Sequence, residues 1–366
     1  MQERLAAATS SGRLSVLTLG DATPHRETLA QADAYWPTWR PGSGLLSWSE
    51  AAGRTAILHS GQTVPGSETD PPLFLAPRLP HYALWNSQGD RLCYVVSDGR
   101  SLVLNVWTAG ELAERSLVSG APIFPAWEPN GTVLVVHHGN TLHRFDLLGG
   151  EQTTLSNSAA GFRTPAISPD GRIAWAEVRD GAVHVMEGLA DGASPVSRAT
   201  FHAGVALHYA GESTGLVVAV GQSPESSAFR ELQAVEPGRS LMKGVFVAAW
   251  WAPDNSRVVA LHPSYTGDGR YQARLYDDSG ALLQAMEAFV PSSDTATMVS
   301  FYDQYNLSHS PWSSSGRWFG LSGRFVYEGP HASFSDGTSD YAWALDTTSG
   351  EVERRLCPAT MLAFER

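Results

Sequence analysis

Ile167-Ser168-Pro169-Asp170-Gly171-Arg172-Ile173-Ala174-Trp175 decides how this chain is built. An apolar residue closes one short strand, a Ser-Pro-Asp-Gly group makes a tight turn, and an apolar run opens a second strand. Degenerate copies recur along the whole chain. Anchored on the residue just before the turn, they fall at Trp39, Trp85, Trp127, Ile167, Tyr209, Trp251 and Trp312. The intervals are 46, 42, 40, 42, 42 and 61 residues.

A period in the low forties is the length of one four-stranded propeller blade. Each copy supplies the remaining strands. After the turn comes a non-alternating apolar run, such as Leu92-Cys93-Tyr94-Val95-Val96 or Val258-Val259-Ala260-Leu261, as expected of a strand covered on both faces. A more mixed strand follows (Leu102 to Trp107, for example), then a Gly-bearing turn and a polar edge strand such as Val352-Glu353-Arg354-Arg355-Leu356. The anchor tryptophans are read as structural: a flat indole buries on the order of 200 Å² and sets the angle between adjacent sheets.

Counting back from Trp39 places strands at Arg4–Ala8, Arg13–Leu17 and His25–Leu29, a blade without its first strand. Ala359–Phe364 is left over at the other end and supplies it. The expectation is an all-β, single-domain β-propeller over residues 1–366. It has eight blades of about four antiparallel strands, the closing one built from about 1–30 plus about 358–366. Seven blades, with one end segment packed elsewhere, is the alternative.

Bulk composition agrees. The 366 residues are 43% hydrophobic, enough for a core, with 35 Gly, 22 Pro and 17% charged residues, which favours many short strands over long helices. A formal charge of −12 repels phosphate backbones, so nucleic acid is not an expected partner. Cys93 and Cys357 are far apart, so no disulfide framework is implied. No run approaches the roughly 18 apolar residues of a membrane helix, and the N-terminus is too polar for a signal peptide. Cytoplasmic placement is expected, or periplasmic or secreted where a leader has been removed.

With its weaker copies, the Ile167–Arg172 motif resembles the repeat of PD40/TolB-like propellers, a WD40-like class, over nearly the whole chain. That resemblance implies a binding platform. Some relatives join the propeller to a peptidase domain; with the repeats running almost to Arg366, none is expected here.

Breaks in the period are where function is grafted. The long sixth interval contains a turn-rich connector, 291–298, and then Phe301-Tyr302-Asp303-Gln304-Tyr305-Asn306-Leu307-Ser308-His309, which leads toward Trp312. Its aromatic and hydrogen-bonding groups suit a recognition surface at one channel mouth. A plug is the competing reading, with Phe301 and Tyr305 filling the channel and Asp303 capping a turn. Two further insertions, 324–337 and 262–271, add Tyr327, His331 and Tyr265 as contact candidates. Tyr35, His81 and Arg163 lie near the starts of first strands and join Tyr302, Asp303, Tyr305 and His309 as mouth residues.

Catalytic motifs are weak. Gly211-Glu212-Ser213-Thr214-Gly215 matches G-x-S-x-G but occupies a turn between strands, where no nucleophile elbow forms. His137, His138 and His143 lack a carboxylate at ligand spacing, and no metal or cofactor is expected. The expected function is a non-catalytic binding or scaffold module for a protein, peptide or small ligand. The alternative is a propeller lyase or hydrolase using His309, Asp303 and Arg163 for acid/base work.

Overall fold

The structure, a computed structural model, describes residues 3–20, 24–31, 33–52, 55–62, 74–76, 82–111, 113–161, 163–189, 195–210, 215–223, 226–264, 267–325 and 339–365. The opening stretch forms as expected. Strands Ala166–Ile167 and Ile173–Arg179 pair antiparallel, with Ala166 opposite Ala174 and Ile167 opposite Ile173. Between them the Ser168 hydroxyl accepts the Arg172 N–H at 2.7 Å, and Gly171 turns the chain at φ +87°, a conformation that suits a residue without Cβ.

Such hairpins extend into meanders. Among the described residues the strands make six four-stranded sheets and one of eight strands. The chain forms two compact units, residues 81–246 and residues 1–80 with 247–366. In the first, the meander that begins at Ala166 adds Ala182–Gly188 and an exposed edge, Val196–Phe201. It packs on the next sheet through Val183, Val185, Val205, Leu207, Val218 and Val220, all buried. Each such side chain contributes about 1.5–3 kcal/mol of burial. The apolar second strands, such as Arg91–Ser97 and Val133–His138, are buried along nearly their whole length, while the edge Arg115–Gly120 is largely exposed and polar.

In the second unit, Glu3–Ala8 pairs with Leu14–Leu19 on one side and with Met361–Phe364 on the other, Leu5 opposite Phe364 and Ala7 opposite Leu362. Arg4 and Glu365 add an ion pair at 2.6 Å. The eight-stranded sheet runs from Ala248–Trp251 to Val352–Pro358, its two halves joined by the short strand Phe289–Pro291.

Three of the anchor indoles follow a rule. Trp127 donates its ring N–H to the Leu84 carbonyl at 3.1 Å, Trp312 to Trp250 at 3.0 Å and Trp39 to Ala363 at 2.9 Å. Leu84 and Trp250 immediately precede the anchors Trp85 and Trp251. By the same rule Phe364 holds the anchor position of the sheet that joins the two ends.

One expectation fails. The connector at 291–298 and the run toward Trp312 are not turns and strand but two helices, Ser293–Ser300 and Tyr302–Ser308, and Trp312 makes only an isolated bridge to Phe319. Ser292 caps the first helix by accepting the Thr295 N–H, with Asp294 in the first turn. Among the described residues no helix is long and apolar enough to cross a membrane.

Candidate recognition site

The second helix carries Tyr305, has Phe301 and His309 four residues away as its caps, and brings Tyr305 and His309 together on one face. The Tyr305 N–H donates to the Phe301 carbonyl at 3.0 Å, and the His309 N–H to the Tyr305 carbonyl at 2.7 Å. Against this face lies Trp36. Its ring stacks on Tyr305 with centroids 5.8 Å apart and planes 20° from parallel, and meets His309 edge-on at 6.0 Å and 86°. Tyr305 and His309 are themselves 5.7 Å apart.

Trp36 reaches this position through strain. In strand Ala34–Arg40, Tyr35 pairs with Ser49 and Thr38 with Ser47, so the strand carries one extra residue, a β-bulge. Trp36 adopts φ +54°, a left-handed conformation costing about 1–3 kcal/mol for a bulky residue, and Pro37 narrows its choices further. The bulge turns the indole toward the helix and leaves it half-buried.

Burial sorts the candidates of this region and corrects part of the expected surface. Tyr302, Tyr305 and His309 are 7%, 7% and 1% exposed, so they support the site from beneath. Tyr302 packs edge-to-face on Trp250 at 6.0 Å, and the His309 Nδ1 lies 2.6 Å from the Ser308 hydroxyl. Asp303 and Tyr35 are half-buried, and Phe301 is 38% exposed. Burial raises the Tyr305 hydroxyl to about 12, with the Asp294 carboxylate acting in the same direction. Burial also raises Asp340, again helped by Asp294 and opposed by Arg324.

Arg163 belongs to the unit of residues 81–246, so the trio His309, Asp303 and Arg163 is divided between the two units. Its guanidinium sits 5.1 Å over the Phe229 ring, and its carbonyl faces the His137 Nδ1 at 2.9 Å. Both groups border a cavity of about 10 Å³, room for one water. The His137 Nε2 is 3.1 Å from the Gly139 carbonyl, and the His138 and His143 rings are 6.4 Å apart. Among the described residues no three His, Cys, Asp or Glu side chains group to hold a metal ion. His81, Tyr265, Tyr327, His331 and Ser213 lie outside the described residues.

Sequence reasoning missed Trp36. The available signal was a Trp-Pro pair inside a first strand, where a bulge accommodates a proline without a ladder bond.

No protein-family model matches the chain, and neither does any curated protein. Solved structures do. A prolyl endopeptidase is similar at a TM-score of 0.61 and 10% identity, over 91% of this chain and 50% of its own. A eukaryotic initiation factor is similar at 0.56 and 12%, over 96% and 84%. An oligogalacturonate lyase solved with manganese is similar at 0.52 and 12%, over 85% and 84%. The likeness shows a β-propeller fold. Propellers of this kind include both enzymes and non-enzymes, so the likeness carries architecture and leaves the activity to the site.

Proposed function

We propose that this protein is a non-catalytic recognition module and that Trp36, with Phe301 and Asp303 of the neighbouring helical segment as further contacts, is the contact surface for a peptide or protein partner. The observation that carries the reading is the strained bulge. A left-handed tryptophan is held at a cost, and what it secures is a half-buried indole stacked on a buried tyrosine. Rigid, half-exposed aromatic rings backed by buried ones are the usual anchors of interfaces. A buried His309 beneath this stack is a support and not a proton donor to substrate.

The propeller that carries the site is read as one domain of eight blades, with residues 1–30 and 358–366 sharing the closing blade. Pairing of Glu3–Ala8 with Met361–Phe364, and the Trp39 indole on Ala363, support that reading.

The test is capture from native host extract on immobilised full-length protein. A partner retained by wild type and lost from both Trp36→Ala and Phe301→Ala supports the assignment. A partner held equally by all three proteins sinks it.

A further inference from the structure

We propose that the accessible face of Trp36 receives a guanidinium or ammonium group, so that the occupant of the site is a peptide segment presenting a basic side chain. This rests on the recognition reading above and adds its chemical class.

Tyr305 stacks on the indole, His309 stands perpendicular to it, and the ring is half-buried, so part of it stays open to solvent. Of the aromatic side chains, tryptophan presents the strongest negative π-face to a cation. The surroundings carry the same sign. Asp294, in the first turn of the first helix, acts on both the Tyr305 hydroxyl and Asp340. Arg324 is the positive charge that acts on Asp340. The whole chain, at −12, steers cations inward and anions away.

Alternatives fit less well. An anionic group meets the wrong field. A neutral apolar group gains the ring contact without the field. A bare metal ion needs convergent ligands, and among the described residues no such group of three forms.

The discriminating pair of probes is N-acetyl-Gly-Arg-Gly-amide and its citrulline counterpart, which keeps the shape and removes the charge. Calorimetric titration of the full-length protein should show the arginine peptide binding at least about tenfold tighter, with the difference shrinking as salt rises. Trp36→Ala should abolish binding of both. Asp294→Asn leaves every ring in place and should cut the arginine preference by about threefold, so the outcome does not hang on how Trp36→Ala folds. Equal binding of the two peptides overturns the charge assignment while the recognition surface stands. Binding of neither, or arginine binding indifferent to Trp36→Ala, also overturns it, and partner capture then decides the recognition reading on its own.

Discussion

Trp36 and Trp39 sit three residues apart in one strand and do opposite things. Trp39 is 5% exposed and donates its indole N–H to the Ala363 carbonyl, with the Arg4 guanidinium 5.2 Å over its ring. Trp36 is half-buried, left-handed at a bulge, and turned onto a helix. The first is a rivet of the repeat, matched at Trp127 and Trp312; the second breaks the ladder that the repeat builds. The lesson is that an indole which obeys the period holds sheets together. One that costs backbone strain is held for another purpose.

The comparison can be broken most directly by removing both rings in turn. Trp39→Ala should lower stability by about 3–5 kcal/mol, the range for deleting a buried tryptophan. Trp36→Gly should change it by less than about 1 kcal/mol, because relief of the left-handed strain offsets the lost stacking. Urea midpoints check both, and a large loss at Trp36 would erase the distinction.

Carboxylates sharpen it next. At Asp346, in the repeat frame, burial works to raise the carboxyl, but Arg317, the Thr348 hydroxyl and the N–H groups of Thr348 and Ser349 outweigh it and hold it at about 2. A depressed acid contributes stability that is present above its unfolded value and lost as pH falls through about 2. Asp346→Asn should therefore cost on the order of 1–2 kcal/mol at pH 7, a cost that shrinks as pH falls toward 2, read from urea melts across pH.

Asp340 should behave in reverse, with the smallest effect. Its carboxyl is raised by burial and by Asp294, so its ionisation works against folding above the ordinary carboxylate range. Asp340→Asn should stabilise by less than about 1 kcal/mol at pH 7 and be neutral at pH 3. A loss of stability at pH 7 would place Asp340 with Asp346.

Much of the frame was legible in the residues. Hairpins such as Ile167 to Ile173 are decided over a few positions by a Gly at positive φ and a hydroxyl cap. Apolar runs such as Leu92–Val96 announce strands buried on both faces. The candidate site was legible only in part. The aromatic segment 301–309 was found as a break in the period, but its helices were not. Their signals, a Ser292 cap and aromatics four residues apart, look the same as a polar turn and an aromatic strand until a partner surface is present. His309 and Tyr305 looked like contacts because composition does not say which way a ring faces.

By itself, then, the chain's short-range pattern determined repeated strand–turn–strand units and the structural role of the anchor tryptophans, since those depend on neighbours within about one blade. Only tertiary structure decided that Trp36 leaves the ladder, and that Tyr302, Tyr305 and His309 are buried while Phe301 is not. Those outcomes depend on residues some 270 positions apart meeting across a packed surface, and no local preference encodes such a meeting.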